Sequence, residues 1–471
     1  MTRGKWRTEL SIIMIGTIVL ALSGCGDGGG GEGTGASQST SQTKITTSTL
    51  PSGVAMLGYN QVVQTVGGSR VGYVWTVSSG TLPPGVTLEG GTPSATLRGL
   101  PTAAGTFNFT LQVQDSQGSV ASQALALLVN PAMIRAVAGT GVAGFSGDGG
   151  LATVAQFDIP AGVLADSAGN IFIADRGNNR VRRIDAVTGF VSTVAGTGVG
   201  GFNGDNQVAS LTQFNLPTAL ALDAEGNWFV AEQGNNRLRR AAHTTQMVTT
   251  IAGTGTAGFN GDSIAATAAE LHVPSGVAID QAGHIYVADT FNHRVRRVDA
   301  ITGVITTVAG TGAAGFAGDG AIATAAQLNF PLDVAVDESG NILVADSLNN
   351  RVRRVDAMTG VITTVAGNGG AGYAGDGAVA TAAQLDFPVG IALDADQDIL
   401  VADGNNHAIR LVSRVNGFIF TIAGTGTAGY NGDNQTAVTA SIDSPYRLAV
   451  EPSGAVLLTE AGGMRIRRIG Q

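Results

Sequence analysis

The feature that most constrains the fold of this chain is an internal repeat of 57 residues in its C-terminal part. Three landmark residues recur six times in the same phase. The Gly positions are Gly139, Gly196, Gly253, Gly310, Gly367 and Gly424. The Asp positions are Asp148, Asp205, Asp262, Asp319, Asp376 and Asp433, and the Pro positions are Pro160, Pro217, Pro274, Pro331, Pro388 and Pro445. A repeat of this length predicts six similar structural units that stack on one another.

Each unit contains four short apolar runs, shown by residues 334–336, 342–345, 351–355 and 361–365. The turns between them carry Asp, Asn and Gly, which tight chain reversals require. Four strands per unit is the pattern of one propeller blade, so the sequence predicts a six-bladed β-propeller. The last unit ends after its third strand. We expect residues 133–137 to supply the missing fourth strand, a strand-swapped ring closure that pairs an otherwise exposed edge.

The repeated motifs resemble those of NHL repeats. The resemblance rests on Val-Ala-Asp at 287–289, on the Asn-His-Arg run that continues to 298, and on the Pro-Ser-Gly run at 274–280. It covers residues 132–471. The last unit departs most, with 460–465 in place of the Asp-x-x-Asn-Asn-Arg pattern. NHL propellers are commonly interaction domains, so the resemblance implies a binding role.

Three segments precede the propeller. Residues 1–25 have a basic start and an apolar stretch too short to span a bilayer, and they end in Leu-Ser-Gly-Cys, which resembles the lipobox of bacterial lipoproteins. Lipidation is therefore predicted at Cys25, which anchors the chain in the cell envelope at the outer membrane, periplasm or cell surface. Residues 26–48 predict a flexible Gly/Ser/Thr tether. Residues 49–131 alternate short apolar runs with turns and resemble the Ig-like domains of bacterial surface proteins, which implies a small β-sandwich.

Charge and cysteine content exclude several functions. The formal net charge is −9, and residues 132–471 carry 20 Arg against 30 Asp and Glu. Such an acidic balance argues against nucleic-acid binding, which needs basic patches. Cys25 is the only cysteine, so the chain has no intramolecular disulfide and no thiolate metal site.

A ring of carboxylates marks the candidate site. One carboxylate begins the loop between the second and third strands of every unit, at Asp175, Glu232, Asp289, Asp346, Asp403 and Glu460. With the neighbouring Asn178, Asn292 and Asn349, these are the predicted partner-binding residues. The other interpretation is that each carboxylate pairs with an Arg of the third strand, such as Arg180, Arg182 or Arg183. The long loops between blades are expected on the same face, where an Asp before an Ala-rich stretch predicts the N-cap of a short helix.

Departures from the repeat offer few catalytic candidates. His272, His293 and His407 could ligate zinc, but they are not at ligand spacing, so no metal or catalytic residue is assigned. Residues 394–398 alternate Asp like the start of a calcium loop, yet Ile399 stands where the turn glycine belongs, and we interpret them as a turn.

The functional expectation is a monomeric, membrane-anchored scaffold without a cofactor that holds a protein or glycan partner on its loop-rich face. The alternative is a propeller enzyme, a metal-dependent lyase, lactonase or hydrolase with its site near the central channel, because related propellers include such enzymes.

Overall fold

The computed structural model describes residues 42–69 and 71–471. The predicted signal segment 1–25, with Cys25, and residues 26–41 of the predicted tether lie outside the described residues. The all-β fold class is confirmed, since the only helical elements there are three-residue 3-10 segments. In the part of the chain that the structure describes, no helix is long and apolar enough to cross a membrane.

The N-terminal module is built from three small sheets. Its four-stranded sheet has the order Gly53–Val54, Val120–Asn130, Gly105–Gln114, Val74–Gly80. The three-stranded sheet has the order Tyr59–Val63, Ala95–Gly99, Val86–Glu89. A two-stranded sheet pairs Lys44–Ile45 with Thr65–Val66 and buries Ile45, so the end of the segment predicted to be a tether, 26–48, belongs to the folded module. A cluster of apolar side chains that includes Trp75, Phe109 and Leu127 fills the space between the sheets.

Six antiparallel sheets follow, one for each repeat. Blade 1 contains Pro160–Ala165, Ile171–Asp175, Arg180–Ile184 and Val191–Ala195. Blade 2 contains Pro217–Leu222, Trp228–Glu232, Arg237–Ala241 and Met247–Ala252. Blade 3 contains Pro274–Ile279, Ile285–Asp289, Arg294–Val298 and Val304–Ala309. Blade 4 contains Pro331–Val336, Ile342–Asp346, Arg351–Val355 and Ile362–Ala366.

Blade 5 is built from four consecutive strands, whereas blade 6 takes its fourth strand from the start of the propeller sequence. Blade 5 contains Pro388–Leu393, Ile399–Asp403, Ala408–Val412 and Ile419–Ala423. Blade 6 contains Pro445–Val450, Val456–Glu460 and Arg465–Gly470, and its fourth strand is Met133–Ala138, which pairs antiparallel with Arg465–Gly470. In blades 2, 3 and 6 a two-residue strand adds to the outer edge, at Gln207–Val208, Ile264–Ala265 and Gln435–Thr436.

The cores lie between neighbouring blades, because each blade is apolar on both faces. Six buried clusters fill the spaces between successive blades, and each combines residues of two neighbours. The cluster between blades 6 and 1 packs Phe157 and Ile173 against Leu457 and Ile466. The burial of apolar surface therefore holds the first blade to the last as it holds consecutive blades together.

The loops that enter the blades do not contain the predicted Asp-capped helices. The Ala-rich stretch forms only a 3-10 turn in each, at Ala152–Val154, Ala209–Leu211, Ala266–Ala268, Ala323–Ala325, Ala380–Ala382 and Ala437–Thr439. No side chain caps these turns, so the repeated Asp is not an N-cap. Asp205 instead accepts hydrogen bonds from the backbone and hydroxyl of Thr250 in the outer strand, at 2.8 and 2.9 Å. The Asp therefore ties the loop to its blade.

Candidate functional site

Each blade holds one fully buried arginine in the middle of its third strand. The guanidinium of Arg182 lies 2.7 Å from Asp148 Oδ1 and 3.5 Å from Asp175 Oδ2. It also donates to the carbonyl oxygens of Ser146 and Gln156, both at 2.9 Å. The corresponding residues are Arg239, Arg296, Arg353, Arg410 and Arg467, all fully buried. Each guanidinium thus joins the second strand of its blade to the loop that enters that blade.

The six predicted loop carboxylates are the partners of these arginines. Asp289 lies 3.5 Å from Arg296 and accepts hydrogen bonds from the Asn292 side chain at 2.8 Å and from the His272 backbone at 2.7 Å. Equivalent ion pairs of 3.2 to 3.5 Å form in the other five blades. The interpretation of the carboxylates as partners of a third-strand Arg is therefore what the structure shows.

Burial changes the pKa of the six loop carboxylates. It raises the pKa of Asp175, Asp289 and Asp403 to about 6, of Glu460 to about 7 and of Glu232 to about 8, because desolvation disfavours the charged carboxylate. The same burial raises the pKa of Asp346. The arginine and the amide donors offset only part of that cost.

The fold encloses most of the predicted binding residues. The six carboxylates, Asp175, Glu232, Asp289, Asp346, Asp403 and Glu460, are fully buried, so in this conformation they do not face a partner. The physical reason is that each one points beneath the loop toward a guanidinium. The amides of Asn178, Asn292 and Asn349 donate to the same carboxylates and to loop carbonyl oxygens, at 2.6 to 2.9 Å. These hydrogen bonds tie each loop to the carboxylate beneath it.

His293 and His407 accept hydrogen bonds that connect neighbouring blades. Nδ1 of His293 accepts a hydrogen bond from the Phe330 backbone at 3.1 Å, and Nδ1 of His407 accepts one from Ser444 at 3.2 Å. Asn179 fills the same position in blade 1 and accepts from Leu216 at 2.9 Å. Burial lowers the pKa of His293, which favours the neutral imidazole that accepts this bond. Among residues 42–69 and 71–471, no three His, Cys, Asp or Glu side chains are grouped so that they could hold a metal ion.

Six aromatic side chains of the loops lie above the buried arginines, and they were not predicted from the sequence. One aromatic side chain covers the third strand of each blade, at Phe145, Phe202, Phe259, Phe316, Tyr373 and Tyr430. Each lies 4.8 to 5.1 Å from the guanidinium carbon of the buried arginine. The signal was present, since these aromatics also recur every 57 residues. The loop-rich face consequently combines aromatic rings with acidic side chains.

Blades 3 and 4 break the symmetry of this face with an apolar patch, which we define as Phe291, Leu348, Phe330 and His272. Phe291 is 45% exposed and Leu348 is 52% exposed. Phe291 packs on His272 and Phe330 with ring centroids 5.0 and 4.8 Å apart. The backbone of Leu348 donates to the carbonyl of residue 329, which precedes Phe330. The equivalent positions elsewhere are Gly177, Gly234, Asn405 and Gly462.

The central channel contains an ion pair between two residues that depart from the 57-residue repeat. Arg447 and Asp333 occupy the position that is Gly or Ala in the other four blades. Both are buried, and Arg447 donates to the carbonyl oxygens of Ser275, Leu332 and Val389 at 2.7 to 2.8 Å. Asp333 lies 3.6 Å from the same guanidinium. Through its two terminal nitrogens, Arg447 thereby connects blade 6 to blades 3, 4 and 5 across the channel, while its Nε faces Asp333 without a hydrogen bond.

The N-terminal module contacts the propeller on the face opposite to the loops. Arg98 of the module forms an ion pair with Asp396 at 2.9 Å, and Asn60 donates to the same carboxylate at 3.4 Å. Asp396 belongs to the turn between the first two strands of blade 5, which agrees with the interpretation of 394–398 as a turn. Leu57 and Leu100 of the module join the core between blades 5 and 6. The module therefore leaves the loop-rich face uncovered.

Two family models match this chain. NHL repeat matches residues 157–184, 271–298, 328–355 and 385–410, and "Putative Ig domain" matches residues 36–130. Among curated proteins, it is 28% identical over 274 residues to Protein SUPPRESSOR OF QUENCHING 1, chloroplastic, of Arabidopsis thaliana, across 55% of this chain and 25% of that protein. It is 27% identical to NHL repeat-containing protein 2 of Bos taurus, across 56% of this chain and 40% of that protein. The chain thus spans less than half the length of these relatives.

Solved structures share the fold at low sequence identity. A structural genomics protein of unknown function from Bacteroides thetaiotaomicron VPI-5482 superimposes with a TM-score of 0.61 at 17% identity, over 92% of this chain and 99% of the other. An auxiliary nutrient binding protein from the same organism superimposes with a TM-score of 0.52 at 16% identity, over 91% of this chain and 97% of the other. At such identities the similarity establishes the fold alone. The six blades and the motif matches show that this chain contains NHL repeats in a β-propeller and an Ig-like domain of the type described as "Putative Ig domain".

Proposed function

We propose that this protein is an envelope-anchored binding scaffold whose propeller holds a protein or glycan partner on its loop-rich face. The observation that carries the proposal is the apolar patch of blades 3 and 4. Phe291 and Leu348 replace Gly or Asn at one repeated position and leave about half of each side chain in solvent. Exposed apolar side chains that are held by packing are typical of interface anchors.

The Phe291 side chain of the patch is already fixed by packing before a partner binds. His272 and Phe330 hold the Phe291 ring from two sides, at 5.0 and 4.8 Å, so little side-chain entropy is lost when a partner covers it. Aromatic anchors with a polar rim are the usual composition of an interface centre. The apolar centre favours a protein over a glycan as the partner.

The position of the N-terminal module also supports the proposal. The ion pair between Arg98 and Asp396 places the module against the opposite face of blade 5. The face that carries the patch is thus left free of the rest of the described chain. A module between anchor and propeller would serve as a spacer, which is one of the two roles usual for such Ig-like units, the other being that of an adhesive unit.

A pull-down from envelope extract tests the proposed face. The test variant carries Phe291→Ser and Leu348→Ser, and the matched control carries Ile301→Ser and Met358→Ser. Ile301 and Met358 lie in turns on the opposite face of the same two blades and are 91% and 96% exposed. We expect a partner to bind the wild type and the control but not the test variant. Equal retention by all three proteins, or no retained partner, would exclude this patch as the binding site.

Lipid anchoring through Cys25 is a separate part of the proposal, and it rests on the lipobox resemblance. Incorporation of radiolabelled palmitate in the native host tests it directly. We expect label in the wild type and none in Cys25→Ser, with the wild type partitioning into the detergent phase. An unlabelled wild-type chain would contradict the anchor while leaving the binding proposal intact.

A further inference from the structure

In five of the blades a second arginine is held by the same set of neighbouring groups, which we call the receptor. This arginine opens the third strand and stacks on the loop aromatic, with its guanidinium carbon 3.7 to 3.9 Å from the ring centroid. It also donates to two carbonyl oxygens, which for Arg294 belong to Asn292 at 3.1 Å and to Thr311 at 2.6 Å. The five residues are Arg180, Arg237, Arg294, Arg351 and Arg465. The receptor is therefore one aromatic face and two carbonyl groups.

Blade 5 has Ala408 in place of this arginine, while the receptor itself is retained. The Tyr373 ring lies 5.0 Å from the buried Arg410, within the 4.8 to 5.1 Å range of the other blades. A hydrogen bond of 3.0 Å between the hydroxyls of Tyr373 and Thr421 holds the ring, which is 40% exposed. The loss of the arginine side chain has not moved its aromatic partner.

The space normally filled by the guanidinium is open in blade 5. A Cβ added to Gly312 in blade 3 would overlap Arg294, whereas one added to Gly426 would meet only the Tyr373 ring, at 3.6 Å, and the Asn406 carbonyl, at 4.0 Å. Among the described residues, no hydrogen bond ends on the carbonyl oxygen of Asn406 or Thr425, the counterparts of the two acceptors used in the other blades.

We propose that this receptor, formed by Tyr373 and the carbonyl groups of Asn406 and Thr425, binds the guanidinium of an arginine on a partner protein. A planar guanidinium stacks on the ring and directs two donors to the two carbonyls at once, which a compact ammonium cannot do. The exposed Asp376 nearby and the acidic propeller favour a cation. As the means of recognising a partner, the site rests on the proposed function, but guanidinium binding is testable without any partner.

Fluorine NMR of the full chain labelled with 3-fluorotyrosine tests the site. The chain has six Tyr, and Tyr373→Phe assigns the resonance of interest. The probe is N-acetyl-arginine amide, and N-acetyl-citrulline amide is the uncharged control of the same shape. We expect the Tyr373 resonance to shift saturably with the arginine probe and to respond at least about tenfold more weakly to citrulline. No shift, or an equal response to citrulline, would overturn the proposal.

Two variants separate the site from nonspecific binding. Ala408→Arg restores the residue of the other five blades, so it should fold and abolish the response of Tyr373. Arg465→Ala opens the equivalent receptor in blade 6, and the Tyr430 resonance, silent in the wild type, should then shift as well. A response of Tyr373 that persists in Ala408→Arg would refute the site. If the probe binds as expected but the pull-down above fails, only the proposed function is wrong.

Discussion

Replacing Asp398 by Asn should stabilise the propeller, and more so as the pH rises. Asp398 is buried in the turn of blade 5, where its Oδ1 accepts a hydrogen bond from the Arg414 backbone at 2.7 Å. Three other blades have Asn at this position, and each amide also donates to the Asp four residues earlier, at 2.7 to 2.8 Å. In blade 5 that earlier residue is Asp394, so two carboxylates face each other where the repeat places an amide and a carboxylate.

The magnitude follows from the pKa of this group. Burial, with a smaller contribution from Asp394, raises the pKa of Asp398 to about 7, against about 3.9 in an unfolded chain. Between these values the folded state binds a proton that the unfolded state has released, so stability falls as the pH rises from about 4 to about 7. At about 1.4 kcal/mol per pH unit, the cost reaches about 4 kcal/mol at pH 8 and about 1.5 kcal/mol at pH 5. Local relaxation lowers both values, and about 2 kcal/mol at pH 8 is expected.

Calorimetry of the wild type and Asp398→Asn at pH 5 and pH 8 measures this effect. A gain of about 2 kcal/mol in a domain of this size corresponds to a rise in Tm of about 3 °C at pH 8, with a smaller rise at pH 5. The matched control is Asn341→Asp, which creates the same carboxylate pair in blade 4 and should lower the Tm at pH 8. If Asp398→Asn lowers the Tm, or raises it equally at both pH values, the assignment of a carboxylate penalty to this turn is refuted.

Three further outcomes are expected. Arg447→Met should lower the free energy of unfolding by about 3 to 5 kcal/mol in denaturant titrations, because it leaves Asp333 buried without its cation, and adding Asp333→Leu should recover part of the loss. Arg98→Ala should cost no more than about 1 kcal/mol, because its pair with Asp396 is partly solvated, and calorimetry should show the N-terminal module unfolding earlier. Cys25→Ser should release the chain from the membrane fraction on cell fractionation, and a variant that stays bound would contradict lipid anchoring.

The repeat was sufficient to predict the blades because strand and turn chemistry are local. Val-Ile-Leu runs separated by Asp and Gly produce strands such as Ile342–Asp346 within a residue of the predicted run. The predicted helix after each loop Asp failed because tertiary contacts prevailed over the local capping signal. Asp205 binds Arg239 and Thr250, which are distant in sequence, and the Ala-rich stretch forms a single 3-10 turn.

The site was predicted less well than the fold, and for a physical reason. A loop Asp followed three residues later by an Asn has the same sequence whether the Asp faces solvent or an arginine beneath the loop. Only the packed structure shows that Asp289 turns toward Arg296 and is fully buried. The apolar patch was similarly hidden, since Phe291 and Leu348 are unremarkable until their positions are compared with Gly177 in blade 1.

The amino-acid sequence by itself determined the number of blades, the four strands in each and the acidic character of the propeller, because these depend on periodicity and composition. Only the tertiary structure decided which charges are paired, that Arg447 crosses the channel, and that Ala408 leaves the Tyr373 receptor open. Those properties depend on groups brought together from distant parts of the chain. Burial then fixes whether a side chain is a structural contact or a surface for binding.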